Sequence, residues 1–234
     1  MKTIFSKNIL SIIIFFPCLA FANYQVVSSE NTPGSIYGDL DQFIERDGYS
    51  VAYNYATKNP DWVAYHLSGN EVKETRKRKD SFREDSDIPL QYRSRLIDYK
   101  HSGYDRGHMA PNAALDHLEL TQRETFLLSN IVPQLPGHNR QGWKKLEEIV
   151  RNYAIEMGSL YVITGVIYDE TPQYIGDKVE IPDSFYKILY STTNHEIITF
   201  KIPHVKFGFN DIDTYISTLE EIEQASGYDF FFED

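Results

Sequence analysis

The sequence has 234 residues, of which 41% are hydrophobic and 24% are charged, with a single cysteine and a formal net charge of −11. This length and apolar content are enough for one domain held together by its own core. The acidic balance predicts long-range repulsion of phosphate backbones.

The first 22 residues have the pattern of a secretory signal peptide. Lys2 and Lys7 precede a mostly apolar run, 9–16, and Ala20-Phe21-Ala22 fits an A-x-A cleavage site. The apolar run is short for a membrane span, and Pro17 interrupts it. An uncleaved N-terminal anchor is the alternative interpretation.

Cleavage there predicts a single domain, 23–234, exported from a bacterial cytoplasm to the periplasm or the medium and free of the membrane. Cys18 leaves with the signal, so the mature chain has no disulfide and no thiol chemistry. The loss of Lys2 and Lys7 reduces the 23 basic residues to 21 against 34 acidic ones, which gives a net charge of −13.

Hydrophobic patterning predicts an α+β chain, with strands in hairpins and separate helices. In chain order we predict strands at 49–55 and 62–67, a polar loop at 68–102, helices at 116–129 and 139–157, strands at 160–166, 186–190 and 196–202, and an acidic helix at 212–225. The clearest helix is 139–157, because its apolar residues recur at spacings of three and four and Gly158 follows as a stop.

Basic residues concentrate in and after the predicted loop. Between Lys73 and Arg106 there are ten Lys and Arg residues and seven acids, whereas the chain from Phe207 onward has eight acids and no basic residue. Most such runs are solvated loops and tails. The alternative is a basic wall that leads toward a binding site.

The segment SGYDRGHMAPNAAL, 102–115, is a poor helix and a poor strand by its composition. Gly107 permits a tight backbone, so that Arg106 and His108 could converge on one point. A histidine near neutral pKa can take a proton from water, and an arginine can clamp a phosphate. Asp105 could orient either side chain. A lone histidine in a structural hydrogen bond is the alternative.

A second polar patch opens the strongest predicted helix. Asn139 stands at its start, and Glu147 follows eight residues later, about 80° around the helix axis. The two side chains can therefore border one cleft. Structural roles would be an N-cap for Asn139 and an i,i+4 pair between Glu147 and Arg151.

Three patches in this order, YDRGHMAP, FLLSNIVPQ and HNRQGWKKLE, resemble the DNA/RNA non-specific endonucleases, which are ββα-metal nucleases related to mitochondrial endonuclease G and secreted bacterial nucleases. The resemblance extends from DWVAYHL to SGYDFF, and so over most of the chain after residue 22. It implies an α+β fold with a central antiparallel sheet flanked by helices.

The resemblance also implies roles for residues at matching positions. His108 would be the general base, and Asn139 the one protein side chain bound directly to Mg²⁺, which Mn²⁺ could replace. Glu147 would hold the waters of the metal. The remaining matches are phosphate contacts by Arg106 and, in a loosely aligned loop, Arg76, with Asp105, Asn130 and Arg151 in support.

The implied chemistry is hydrolysis of DNA and RNA with little base preference, leaving 5′-phosphate ends. It agrees with the residue types, because phosphodiester hydrolysis needs a base for the attacking water and positive charge near the phosphorane. Mg²⁺ keeps several waters, so one neutral ligand is sufficient. The family includes monomers and dimers, which leaves a homodimer open, and the sequence specifies no inhibitor protein.

Three alternatives to a metal nuclease remain at this stage. A zinc hydrolase could draw ligands from His101, His108, His117 and His138, but neither HExxH nor paired-cysteine spacing is present. A serine hydrolase would need a G-x-S-x-G elbow, which the sequence lacks. A catalytically silent nucleic-acid-binding or effector protein on the same fold is the third alternative.

Overall fold

The structure, a computed structural model, describes residues 24–73 and 75–232. The predicted signal peptide, 1–22, and its cysteine lie outside the described residues. Among the helices of the described part, none combines the length and the apolar character that a membrane crossing requires.

Runs of strands are separated by a few helices along the described chain. The strands are β1 (Tyr24–Val27), β2 (Ile36–Asp39), β3 (Gln42–Glu45), β4 (Ser50–Asn54), β5 (Asn59–Ser68), β6 (Asp105–His108), β7 (Ile131–Gln134), β8 (Ser159–Ile167), β9 (Tyr174–Ile175), β10 (Val179–Glu180), β11 (Ser184–Tyr190), β12 (Ile197–Pro203) and β13 (Asp229–Phe230). The α-helices are α1 (Leu96–Tyr99), α2 (Glu119–Glu124), α3 (Lys144–Met157) and α4 (Leu219–Ser226). A π-helical turn (His138–Trp143) leads into α3, and 3₁₀ turns occupy Glu71–Lys73, Leu90–Tyr92, Asn112–Ala114, Leu128–Asn130 and Phe209–Tyr215.

Six strands form the central sheet in the order β12-β11-β8-β5-β4-β3, and every neighbouring pair is antiparallel. The predicted α+β class with a central antiparallel sheet is therefore confirmed. The predicted strands at 49–55, 62–67, 160–166, 186–190 and 196–202 correspond to β4, β5, β8, β11 and β12.

The central sheet is buried on both faces, and side-chain alternation divides the core in two. On β5, Val63 and Tyr65 face the side covered by α3, whereas Trp62 and Ala64 face the side covered by α4. Because both faces of β5 are apolar, its sequence shows no polar-apolar alternation. Strand propensity was therefore the usable signal.

A separate two-stranded ribbon carries the Asp-Arg-Gly-His segment. β6 pairs antiparallel with β7, with Asp105 opposite Gln134 and His108 opposite Ile131. The expectation of a poor strand at this segment was therefore wrong. Gly107 has ordinary backbone torsions. It is required because a Cβ there would lie 2.2 Å from Oε1 of Gln134.

The helix predicted at 139–157 begins differently from the prediction. Its first turn is π-helical, and the α-helix runs from Lys144 to Met157, where Gly158 ends it with φ 83° as predicted. Phe207 packs against the wider turn: a Cβ on Gly142 would lie 2.3 Å from its ring, and the Gly142 N–H donates to the Phe207 carbonyl at 3.0 Å. Helical periodicity cannot predict this contact, because Gly142 and Phe207 are distant in the sequence.

Two other predicted helices are shorter than expected. In 116–129 only Glu119–Glu124 is α-helical, and in 212–225 the α-helix starts at Leu219, after a cap by the Thr218 hydroxyl. The predicted loop at 68–102 contains two 3₁₀ turns and α1. Short strands at the ends of the described chain, β1 to β3 and β13, were not predicted, because four residues or fewer give too little pattern.

A carboxyl group joins the central sheet to the C-terminal segment. Asp61 on β5 lies 2.9 Å from the Tyr228 hydroxyl, which also bonds to the Asp39 carbonyl. Burial raises the pKa of Asp61 to about 7, although hydrogen bonds from Tyr228 and Asn54 oppose the shift. One hydroxyl carries one hydrogen, so when Tyr228 donates it to Asp39, a protonated Asp61 completes the pair by donating to the Tyr228 oxygen.

We predict that Asp61 makes the free energy of unfolding fall as the pH rises from about 4 to about 7. A raised acid pKa means that the folded chain binds more protons than the unfolded chain in this window. Asp61→Asn supplies an N–H donor at every pH, so it should gain stability relative to wild type at pH 8, on the order of 1–3 kcal/mol, and little at pH 4. Denaturant unfolding at each pH measures this. The exposed Asp213→Asn is the control, and equal pH slopes for wild type and Asp61→Asn would contradict the assignment.

Candidate active site

The antiparallel ribbon presents Arg106 and His108 on one face. Residues two apart on a strand point to the same side, and both contact Phe82: the Arg106 guanidinium carbon lies 4.2 Å from the ring centroid, and the His108 ring lies 5.3 Å from it. The predicted convergence of Arg106 and His108 is therefore present, and an aromatic ring mediates it.

His108 is buried in an aromatic pocket and is 8% exposed. Phe126 packs edge-on at 5.1 Å, and the Nε2 atom is buried without a hydrogen-bond partner. Burial and then the charge of Arg78 lower the pKa of His108 to about 3; Asp80 opposes the shift, and Arg106 adds a smaller effect in the same direction as Arg78. The imidazole is thus neutral at physiological pH. An unpaired buried nitrogen is expected at a functional site more than in a structural role.

Asn130 fixes the chain that follows His108. Its Oδ1 accepts from the Ala110 N–H at 2.8 Å, while Nδ2 donates to the carbonyls of Ala110 and Thr125, both at 2.9 Å. The side chain is fully buried. It satisfies backbone groups where β6 ends and the chain turns away, which fits the supporting role predicted for it.

Asp105 joins the ribbon to the π-helical turn. Its Oδ2 accepts from Asn139 Nδ2 at 3.0 Å, and Arg140 donates to both carboxylate oxygens. Burial opposes ionisation, but these hydrogen bonds and the Arg140 charge lower the pKa of Asp105 below its usual range. Asp105 therefore orients Asn139, where we had expected it to orient Arg106 or His108. The Asn139 side chain makes this bond in place of a helix cap.

Glu147 lies in the first turn of α3, with its carboxylate surrounded by positive charge. Burial raises its pKa, and the charges of Lys187, Arg151 and Arg78 oppose that shift. The Trp143 indole also lowers the pKa of Glu147. Its Nε1 atom is nevertheless buried without a hydrogen-bond partner of ordinary geometry. Arg151 therefore acts on Glu147 as one of three cations, and Lys187 has the largest effect of them.

The arginine of the basic loop that lies nearest the site is Arg78. Its charge lowers the pKa of His108 and also that of Glu147, and its guanidinium carbon lies 5.3 Å from the Phe126 ring centroid. Arg76 instead donates from Nε to the His117 carbonyl at 2.9 Å. Both side chains are exposed at the loop surface. The charge of Arg78 therefore acts on His108 and Glu147, whereas Arg76 is held by the carbonyl of His117, two residues before α2.

Sequence reasoning missed two supporting residues. His204 accepts from the Leu135 N–H at 2.7 Å and bonds the Pro182 carbonyl at 2.7 Å, and the Leu135 carbonyl in turn accepts from the Asn139 N–H at 2.9 Å. The second is Phe82, and its signal was available, because it is the one aromatic residue in the highly charged run 73–87. His204 gave no signal, because its partners are distant in sequence.

The site suits a hard cation that keeps most of its waters. The described residues contain no group of three or more His, Cys, Asp or Glu side chains that could hold a metal. Asn139 Oδ1 accepts no hydrogen bond from the described residues, while its Nδ2 is fixed by Asp105. One oriented amide oxygen near a carboxylate is a donor set that fits Mg²⁺ and leaves water to fill the remaining positions.

A cleft of about 330 Å³ opens beside the ribbon, and its walls include Tyr99, Tyr104, Asp105 and Arg106. A larger cleft of about 450 Å³ is lined by Ser29, Tyr161, Tyr190 and His195, far along the sheet, and contains none of the predicted site residues. Of these two clefts, the smaller one contains predicted site residues, Asp105 and Arg106.

An antiparallel ribbon followed by a helix, with a histidine on the strand and an asparagine at the helix start, defines a nuclease of the ββα-metal class. The model of the DNA/RNA non-specific endonuclease family matches residues 28–233. The chain belongs to this family and is a hydrolase of that type. A divalent metal is a general requirement of the family.

Several known proteins are similar to this chain. A nuclease of Syncephalastrum racemosum is 32% identical over 219 residues, covering 83% of this chain and 68% of the relative. Human mitochondrial endonuclease G is 29% identical, covering 80% and 69%. The crystal structure of an EndoG/EndoGI complex contains a chain with a TM-score of 0.76 and 30% identity, covering 85% of this chain and 86% of that one. The antiparallel fold and the family assignment thus agree.

We predict that Arg78→Ala lowers kcat/KM for plasmid DNA by about 100-fold, the usual cost of removing a positioned donor, because its charge acts at both His108 and Glu147. Arg76→Ala, from the same loop, is the matched control and should stay within about threefold. Steady-state kinetics at fixed Mg²⁺ and salt measure both. A larger loss of kcat/KM in Arg76→Ala than in Arg78→Ala would indicate that Arg76, the residue predicted from sequence, makes the phosphate contact.

Proposed function

We propose that the chain is a Mg²⁺-dependent endonuclease that hydrolyses phosphodiester bonds of DNA and RNA with little base preference and leaves 5′-phosphate ends. The observation that carries the proposal is the hydrogen bond from Asn139 to Asp105. This bond holds the Asn139 side chain beside β6, the strand that carries the neutral His108. It leaves the amide oxygen of Asn139 free to bind a cation.

His108 has the properties of a general base. Its imidazole is neutral over the physiological range, so it can accept a proton from an attacking water without first losing one. Phe82 and Phe126 hold the ring from two sides, and the backbone behind it is fixed by Asn130. A low pKa makes a weak base, so we infer that the bound phosphate, an anion, raises the basicity of His108 when substrate enters.

Arg106 and Arg78 supply positive charge to the phosphate. Arg106 is exposed at the cleft beside the ribbon and stacks on Phe82, which orders its guanidinium plane. A planar guanidinium can pair with two phosphate oxygens at once. Contacts to phosphate carry no sequence information, and this supports cleavage with little base preference.

Asn139 Oδ1 is the residue atom that would hold the metal directly, and Glu147 would accept hydrogen bonds from its waters. When bound, a divalent cation supplies positive charge for the developing phosphorane and the leaving oxygen. Asn139 is neutral, so it would leave that charge undiminished. Glu147, with Lys187, Arg151 and Arg78 around it, provides a carboxylate whose own charge is largely balanced.

The direct test is digestion of supercoiled plasmid and of structured RNA by the purified protein, with Mg²⁺ and with EDTA. We expect both substrates to be degraded to mixed fragments with Mg²⁺, and neither with EDTA. Fragments that ligate without kinase treatment would identify 5′-phosphate ends. Binding of nucleic acid without cleavage at any divalent metal would favour the catalytically silent alternative, and one sharp cut site would contradict the lack of base preference.

We predict that His108→Ala reduces cleavage by about 100- to 10,000-fold, the usual contribution of general-base assistance, at unchanged Mg²⁺ affinity. The pocket walls, Phe82 and Phe126, remain in place, so the variant should fold. Rates and thermal midpoints are measured together. Activity within about threefold of wild type at matched stability would mean that another group takes the proton.

We predict that Asn139→Asp is inactive even though carboxylates bind Mg²⁺ well. Asp105 accepts a hydrogen bond from Nδ2 at 3.0 Å, so Asn139→Asp would place two carboxylates in contact and lose the orienting bond. The double variant Asp105→Asn/Asn139→Asp restores a donor–acceptor pair and should recover part of the activity, at least about tenfold over Asn139→Asp. Cleavage rates across a Mg²⁺ series measure this, and full activity of Asn139→Asp alone would show that Asp105 does not orient the ligand.

A further inference from the structure

A lysine lies buried in the central sheet beneath the active-site helix. Lys187 is in the middle of β11, opposite Thr164 on β8 and Phe200 on β12, and it has no exposed surface. Its neighbours on the same face of the strand, Phe185 and Leu189, belong to the core cluster on the α3 side. The ammonium therefore points from the sheet toward α3.

The surroundings of the ammonium do little to balance its charge. Among the described residues, the Thr164 hydroxyl is the one oxygen that accepts a hydrogen bond from Nζ. The other contacts are aromatic: Nζ lies 4.7 Å from the Trp143 ring centroid and 6.0 Å from that of Tyr65. A buried ammonium with so few acceptors costs stability, and cation–π contacts offset that cost only in part.

Glu147 is the carboxylate that balances this charge. Trp143 and Glu147 are four residues apart and so lie on one side of the helix, and Lys187 contacts that side through the Trp143 ring. The Lys187 charge is the largest of those that lower the pKa of Glu147, and Glu147 in turn affects the buried Tyr65 hydroxyl next to Lys187. No direct ion pair joins Lys187 and Glu147 within 4.0 Å in the described residues.

We propose that Lys187 is a positioning residue of the active site: from the floor of the sheet, its ammonium holds the negative charge of Glu147 on the side of α3 where the waters of a bound metal would be received. This role rests on the proposed function of Glu147. It explains why a costly buried cation stands at the centre of an otherwise apolar strand, where a hydrophobic residue of similar volume would ordinarily be as stable or more so.

A structural role and a positioning role predict different behaviour for Lys187→Met. If the lysine holds the fold together, the variant loses stability and activity in proportion. If it acts through Glu147, the folded state is retained while the response to Mg²⁺ changes. Lys187→Gln, which keeps a donor for Thr164 but carries no charge, separates loss of charge from loss of the hydrogen bond. Lys201→Met on β12, half-buried and in a cleft on another part of the sheet, is the matched control.

The experiment is a double-mutant cycle between Lys187→Met and Glu147→Gln, with two readouts. Calorimetric titration of Mg²⁺ into the full protein without nucleic acid gives metal affinity, and plasmid cleavage across a Mg²⁺ series gives the concentration for half-maximal rate. We expect Lys187→Met and Lys187→Gln each to weaken both by about 10-fold, with thermal midpoints close to wild type. In the Glu147→Gln background, adding Lys187→Met should change either readout by less than about twofold.

Three results would overturn the proposal. Wild-type values in both Lys187 variants would show that its charge is not used. Equal fold-changes in the wild-type and Glu147→Gln backgrounds would show that it does not act through Glu147. Loss of the folded state in both variants would assign the lysine to the fold. If the wild-type protein neither binds Mg²⁺ nor cleaves nucleic acid, the proposed function itself is wrong. If the wild type is active and both Lys187 variants behave like it, only this inference is wrong.

Discussion

The arrangement of the site depends on the carboxylate of Asp105. The ribbon of β6 and β7 is separate from the central sheet, so its position relative to the π-helical turn must be set by contacts outside the sheet ladder. Asp105 supplies the side-chain contacts of this kind, by accepting from Asn139 and from Nε and Nη2 of Arg140. A paired carboxylate with a lowered pKa keeps these bonds at physiological pH. Because Asp105 and His108 belong to the same strand, this bond attaches the Asn139 amide to the element that carries His108.

Electrostatic balance around Glu147 is a second constraint. Its carboxylate is surrounded by a buried lysine from the sheet, an arginine one turn along α3 and an arginine from the basic loop. Each comes from a different element, so the balance exists only in the folded chain. The aromatic contacts also join different elements: Phe82 and Phe126 hold His108 and two arginines together through ring faces and edges, and such contacts do not occupy the imidazole nitrogens as hydrogen bonds would.

The sequence was sufficient for the fold class and the longer strands, because strand propensity and helical spacing are local signals, and motif resemblance selected His108, Arg106, Asn139 and Glu147 as candidates. It was insufficient where a contact joins distant segments. The π-helical start of the helix depends on Phe207 packing at Gly142, and the partner of Asp105 lies 34 residues away. The choice between Arg76 and Arg78 depends on how a polar loop folds over the site. Lys187 did carry a local signal, a single charge within FYKILY, but its meaning required knowing what lies above the strand.

The distribution of charge across the sheet reconciles an acidic protein with a polyanionic substrate. α3, Lys187 and the basic loop lie toward one face, whereas α4, with Glu220, Glu221 and Glu223, packs through Ile222 on the other. At physiological salt the Debye length is about 8 Å, so exposed charges further away than this are largely screened and the local field near each face dominates. The local field therefore differs between the two faces: acidic side chains of α4 lie on one, and the basic loop brings Arg78 to the ring of Phe126 on the other.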